Sequence, residues 1–407
     1  MFTKKWWLLG LLTIFIATGT YFTFGEKLVG PTPHYIAQTI TADSQTSRTI
    51  AWQTTPSAVD QFLEYKEANT SQSTLLVANS QKLTTNAEDM TLHCVTITDL
   101  KPGTTYDYRV GSYNNWSDWQ KLTTESPDTP NFKAIIFGDS QCSDYTVWKQ
   151  TAQTAWSKNK DAAFFINLGD LVDIGSHYDQ WKSWFNGAKS MIDTIPVVPL
   201  SGNHENYLPG GTFSPAFLYL ELFNLPMNGP DTLKGQSYSF DYGNAHFSIL
   251  DTQAEELGIF QPDLIIKQRA WLEKDLNSTT KPWKIVLMHR GVFSYPDVAN
   301  LNDLGKAFVP IFDQYHVDLV FTAHIHTYGR TTPLLGGNAF DKGTLYISTG
   351  RTGDKTWPES IRKPTEIVFD AALDMPNYLT LETTDNTLKV TNVKQNGTLV
   401  DEVVLKK

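Results

Sequence analysis

Five short apolar runs in this chain each end on residues that bind metals, and that repeated ending constrains the fold more than any other feature. In order, the endings are Gly138-Asp139-Ser140-Gln141, Gly169-Asp170-Leu171-Val172-Asp173, Gly202-Asn203-His204-Glu205, Val286-Leu287-Met288-His289 and Ala323-His324-Ile325-His326. A lone Gly-Asp at a strand end is more often an ordinary turn, and a lone histidine is more often a satisfied structural group. The series changes that balance, because four of the nine histidines fall in these five loops. Glycine there lets the backbone bend sharply and approach whatever the side chains hold. Asp, Asn and His offer oxygen and nitrogen to hard or borderline divalent metals.

The residue types fit a site for two metals. Two divalent cations about 3.5–4 Å apart need a bridging ligand, and a carboxylate serves. Neutral His and Asn limit the negative charge, so the metals stay electrophilic. A water between them ionises near neutral pH. A further histidine at the rim can protonate a leaving alkoxide. This is the chemistry of phosphate ester hydrolysis.

Around the motifs the chain alternates apolar strands with amphipathic helices. Strands are expected at Phe132–Phe137, Ala162–Leu168, Ile195–Leu200, Ala245–Leu250, Trp283–Met288 and Val317–Thr322. Helices are expected at Asp144–Lys158, His177–Met191, Pro262–Asn277 and Leu304–Tyr315. That alternation predicts an α/β layered core over residues 131–407. Residues 378–405 return to period two and read as a β-meander closing a sheet. Residues 34–124 carry short alternating strands and no helix-period pattern. Pro102-Gly103 marks a turn, and a tyrosine just after such a corner can hydrogen-bond back to it. This part reads as an all-β sandwich of fibronectin type III kind. Residues 125–131, with two prolines, read as a linker.

The N-terminal segment, residues 1–30, reads as a membrane anchor or signal. Lys4 and Lys5 precede an uncharged run from Trp6 to Phe24, close to the ~20 residues a membrane helix requires. Ala17-Thr18-Gly19 is a poor cleavage exit, so an anchor fits better than a cleaved signal. The lysines lie before the run, which places the bulk of the chain outside the cytoplasm. The net charge of -10 over 407 residues argues against a nucleic-acid backbone as partner. Two cysteines, Cys94 and Cys142, give no disulfide framework.

The five motifs resemble those of the calcineurin-like metallophosphoesterases. The run Pro102-Gly103-Thr104-Thr105-Tyr106-Asp107-Tyr108-Arg109-Val110-Gly111 resembles the domain that precedes the catalytic domain in purple acid phosphatases. Tyr238-Ser239-Phe240-Asp241-Tyr242-Gly243, followed by His246 and Asp251-Thr252, is similar to that group as well. The resemblance implies a double β-sheet sandwich flanked by helices, a four-layer α/β fold, with two divalent ions such as Mn, Fe or Zn. It implies that Asp139 and His326 hold the first metal, that Asp170 bridges, and that Asn203, His289 and His324 hold the second. His204 becomes the general acid, and metal-bound hydroxide the nucleophile toward a phosphate monoester.

The chain departs from the pattern at several points. Gln141 stands where relatives carry His or Gly; it is either a weak amide ligand or a donor to a ligand. Asp173 stands where purple acid phosphatases place the tyrosine that binds iron(III); it either offers an anionic oxygen or hydrogen-bonds a ligand. Ala323 replaces Gly. Residues 294–299 lack the substrate-facing histidines of plant members. Arg290, Tyr328 and Arg351 are candidates for phosphate contact, against ordinary ion pairing. A phosphodiesterase or nucleotidase shares the same core. A surface binding protein with a decayed site is disfavoured by the intact ligand set.

Overall fold

Phe164–Asn167 is a short run with every residue buried, so both of its faces must be covered. The computed structural model, which describes residues 29–128, 130–294, 297–356, 368–371 and 374–407, covers them with parallel neighbours and packed layers. Lys133–Phe137 and Val197–Pro199 pair with it in parallel, so that Phe137, Asn167 and Pro199 lie level. The loops at 138, 168 and 200 therefore leave from one edge. A second sheet repeats the device. Ala245–Leu250, Trp283–Met288, Leu319–Thr322 and Leu345–Thr349 run parallel, with Leu250 beside Met288, Leu287 beside Phe321 and Thr322 beside Ser348.

The two sheets pack face to face over an aromatic core that includes Phe132, Phe164, Phe240 and Phe247. Helices Thr146–Lys158 and Tyr178–Ile192 cover the first sheet through Trp148, Trp181 and Trp184. Helices Leu264–Ser278 and Asp303–Tyr315 cover the second through Leu272, Leu276, Phe308 and Phe312. The result is the expected four-layer α/β sandwich. The four long helices fall within two residues of their expected ends. Leu345–Thr349 is a strand that the sequence reading passed over, although its run stops at Gly350 as Phe137 and Leu168 stop at Gly138 and Gly169. The C-terminal meander is present as Asn377–Thr383, Thr387–Lys394 and Leu399–Lys406, added antiparallel to the Lys133–Phe137 strand.

The N-terminal domain is an all-β sandwich around Trp52, Leu63, Tyr108 and Val110. Its corner tyrosine acts as expected: the Lys101 N–H donates to the Tyr106 hydroxyl at 2.8 Å. The described residues of 125–131 form no helix or strand, as a linker would, but one of them does more than connect. Glu125 is buried and accepts hydrogen bonds from Ser44 and from the Gly243 N–H, so it fastens the two domains together. The strand His34–Thr39 also pairs in parallel with Val197–Pro199 at Thr39, which joins both domains in one ten-stranded sheet. Composition marks a boundary, but this pairing is decided by backbone groups that carry no sequence mark. Cys94 and Cys142 are both free. The segment read as an anchor lies outside the described residues up to position 28. No helix among the described residues is long and apolar enough to cross a membrane.

His246, within the stretch that resembles the purple acid phosphatases, lies on the strand next to one edge of the second sheet. Its ring lies between Asp241 at 2.7 Å and Asp275 at 3.0 Å. Burial opposes its protonation, but hydrogen bonds to the two carboxylates outweigh it and raise its pKa to about 9. A folded pKa above the unfolded one stabilises fully below about pH 6.5 and loses that contribution as pH rises through about 9. The contribution is about 3 kcal/mol. Melting temperature is therefore expected to fall between pH 6.5 and 9, and His246→Gln to flatten that fall. Equal pH slopes in parent and variant would disprove it.

Candidate metal centre

Four of the eight described non-glycine residues with positive φ sit in the motif loops: Asp139 at 52°, Asp170 at 52°, His324 at 72° and His326 at 56°. Left-handed backbone is unfavourable for such residues and persists only where the surroundings hold it. Here the loops hold one another. The His324 N–H donates to both Asp139 carboxylate oxygens at 3.0 and 2.9 Å. The His204 N–H donates to Asp170 Oδ1 at 3.0 Å. Gly202 must be glycine, since a Cβ there would lie 2.2 Å from Asp170 Oδ1.

Glu205 is the tie beneath this arrangement. Its carboxylate is buried and accepts four backbone N–H groups: Gly202 at 2.6 Å, Leu171 at 2.8 Å, Asp170 at 2.9 Å and Val172 at 3.2 Å. It thereby binds the second motif loop to the third. Burial and the charge of Asp170 push its carboxyl up to about 7, against the N–H donors that favour the ion. Within the motif Gly202-Asn203-His204-Glu205, the sequence marks no role for Glu205.

The nominated ligands converge. Ligand atoms of Asp170, His289 and His324 all lie within 4.8 Å of one another, and so do those of Asp139, Asp170 and His326. Asp170 belongs to both groups. Asn203 Oδ1 lies 3.1 Å from His289 Nε2, and its Nδ2 donates to the Tyr207 hydroxyl at 2.9 Å, which aims the oxygen inward. Backbone carbonyls fix two of the imidazoles. His289 Nδ1–H donates to Leu168 O at 2.8 Å and His326 Nδ1–H to Lys355 O at 3.0 Å, leaving each Nε2 for the cluster.

The electrostatics fit cations at this place. Burial drives His324 down to about 3 and His326 down to about 4, so both rings are neutral, as metal ligation requires. Burial resists ionisation of Asp170, yet the charge of His289 holds its carboxyl below the usual range. Burial, with the charge of Asp170, holds Asp139 well above it. Two buried carboxylates this close need positive charge between them. Gln141 Nε2 donates to Asp170 Oδ2 at 3.1 Å, while its buried Oε1 has no partner among the described residues. A cation would satisfy that oxygen. The donor set is mixed oxygen and nitrogen with no thiolate, which suits first-row divalent ions.

His204 lies at the rim. Its Nδ1–H donates to the Asp173 carbonyl at 2.7 Å, and its Nε2 lies 3.9 Å from Asp170 Oδ2. It belongs to neither ligand group. Asp173 belongs to neither group as well. Its carboxylate pairs with Lys355 and lies 3.2 Å from His204 Nδ1, so it orients that ring. Lys355 was not nominated from sequence, and nothing in its neighbourhood along the chain marks it. It lines a cleft of about 410 Å³ with Ser143, His204, His326 and Asp354.

The three candidates for phosphate contact each have a partner within the protein. Arg290 grips Glu256 with two hydrogen bonds of 2.9 and 2.8 Å. The Tyr328 hydroxyl donates to Asp401 at 2.7 Å. The buried Arg351 donates to Gly353 O at 2.8 Å. A buried guanidinium or phenol must find such a partner, and these partners are structural.

The calcineurin-like phosphoesterase family matches residues 100–328, and the purple acid phosphatase N-terminal domain matches residues 33–124. Purple acid phosphatase 21 of Arabidopsis thaliana is 26% identical over 272 residues, covering 65% of this chain and 59% of that protein. The chain thus spans about three fifths of that relative's length. Acid phosphatase type 7 of Mus musculus is 27% identical over 309 residues, covering 67% of each chain. The structure of purple acid phosphatase PPD1 from yellow lupin, Lupinus luteus, superposes with a TM-score of 0.79 at 20% identity. That match covers 92% of this chain and 74% of the lupin chain, and shows the shared fold.

Proposed function

Because this chain belongs to the calcineurin-like phosphoesterase family, we propose that it is a phosphoric ester hydrolase of phosphate monoesters that uses two divalent metal ions. The observation that carries this reading is Asp170, shared by two ligand groups at one edge of two packed sheets. Asp139, Gln141 and His326 would hold one ion with Asp170; Asn203, His289 and His324 would hold the other. Such ions supply Lewis acidity toward a phosphoryl group and acidify a water.

The chain's own residues do the rest. Asp173 fixes the His204 ring through Nδ1, so that Nε2 faces the ligand cluster. A proton on Nε2 can pass to the leaving oxygen, with Asp173 holding the ring in that orientation. Lys355, paired with Asp173, lines the cleft beside His204 and His326. Buried Trp and Phe side chains under the loops keep the ligands in place.

A hydrolysis screen of purified protein tests the reading, pairing monoester and diester reporters with Mn²⁺, Zn²⁺ and Fe²⁺. Monoesters are expected to be the better substrates. Faster diester hydrolysis would move the assignment to a phosphodiesterase, and no hydrolysis with any metal would end it. His204→Ala is expected to retain both metals and lose ~10²–10⁴-fold in turnover of alkyl phosphates, with smaller losses on activated aryl phosphates. Loss of metal in that variant, or full activity on alkyl phosphates, would rule out the acid role.

We also propose a colourless enzyme, since Asp173 stands at the position where the purple acid phosphatase pattern has its iron-binding tyrosine. Iron-loaded protein under air is expected to show no visible charge-transfer band. A band in the unmodified protein that bleaches on reduction would contradict this. An extracytoplasmic location, with an anchor in the membrane, is supported by Lys4 and Lys5 before the uncharged run Trp6–Phe24.

A further inference from the structure

A second cleft, of about 770 Å³, adjoins the metal centre. Its size is within the range of small-molecule sites. His324, a candidate ligand, is one of its lining residues, as is Arg290, directly after the ligand His289. The walls are largely apolar: Ile265, Val292, Phe293, Leu304, Ile325 and Ile347. Ile265 and Leu304 come from the two helices that cover the second sheet, so the cleft runs from the ligand loops in under those helices.

Its charges select against a second anionic group. The two described cations in its lining are already engaged, Arg290 by Glu256 and Arg330 by Asp401. Glu255 and Asp303, both also in the lining, are exposed carboxylates paired with Arg290 at 3.5 Å and Lys306 at 2.9 Å. A further phosphate here would have to compete with carboxylates already held by the cations of this region. An uncharged apolar group would leave water for matching walls.

We infer that this cleft receives the apolar alcohol portion, aryl or alkyl, of a phosphomonoester whose phosphate lies on the metal centre. The inference rests on the phosphoesterase reading and narrows it. It favours esters of apolar alcohols over nucleoside polyphosphates. The cleft acts on affinity and orientation and takes no part in bond breaking.

The test is a homologous series from ethyl to hexyl phosphate, measured as kcat/KM on metal-loaded protein. Each added methylene is expected to raise kcat/KM about three- to four-fold, or ~10²-fold across the series. Ile265→Gln and Leu304→Gln change wall residues outside the ligand set. Each is expected to flatten the series while inhibition by inorganic phosphate stays unchanged. A flat series in the parent protein, or an undiminished slope in both variants, would overturn the proposal. Calorimetric binding of ethylphosphonate and hexylphosphonate gives a readout without turnover. If no ester is hydrolysed but hexylphosphonate still binds far better in the parent than in the variants, the phosphoesterase reading fails and the cleft assignment stands. Equal binding of the two phosphonates in the parent would sink the cleft assignment even in an active enzyme.

Discussion

Asp170→Asn is expected to reduce bound metal to one ion or fewer per chain and to lower turnover of every phosphate ester by more than about 10³-fold. Asp170 is the one residue common to both ligand groups. Two dications a few ångströms apart repel strongly where water is excluded, and a shared carboxylate offsets that repulsion. An amide has the same shape but no charge. The substitution should leave the fold intact, because the His204 N–H can still donate to the amide oxygen at the Oδ1 position. Loss of even one well-placed electrostatic group in an active site typically costs ~10²–10³-fold, and here a metal goes with it. Metal analysis beside steady-state kinetics checks the result. Two tightly held ions in the variant would place the bridge on another residue.

The second large effect concerns Glu205. Glu205→Ala would leave four buried backbone N–H groups without their acceptor. Each unsatisfied buried group costs about 1–3 kcal/mol, so a loss of several kcal/mol is expected even if water partly replaces the carboxylate. The loop that carries Asp170 in left-handed backbone would lose its main support. Metal content should therefore fall along with melting temperature. Glu205→Gln keeps one carbonyl oxygen but turns an NH₂ toward N–H donors, so it should be intermediate. This ordering separates a structural tie from a general base: a base would lose activity in both variants with melting temperature unchanged. A Glu205→Ala protein that melts like the parent and holds two metals would refute the role.

These two residues show what could be read from the chain and what could not. The strands and long helices were legible because burial on both faces of a parallel sheet demands continuous apolar runs, and because surface helices keep a polar stripe. The candidate ligands were legible because five strand ends deliver Asp, Asn and His in series. Glu205 stood in plain view inside a motif. Its role depends on N–H groups from a loop more than thirty residues away, and backbone donors carry no sequence signature. Lys355 was invisible for a similar reason: its partner Asp173 is 182 positions distant. Arg290, Tyr328 and Arg351 have chemistry suited to phosphate, and their hydrogen bonds to Glu256, Asp401 and Gly353 likewise carry no mark in the sequence.

By itself the sequence determined the layer architecture, the order of the strands' polar endings and the chemical character of the site. Those follow from local periodicity and from which atoms bind metals. Only the tertiary structure decided that Glu205 ties the second motif loop to the third, that Asp173 steadies His204, that both domains share one sheet, and that an apolar cleft adjoins His324. Each of these depends on which distant side chain or backbone group reaches a position first. Pairing distances and packing settle that competition, and the order of residues along the chain does not record it.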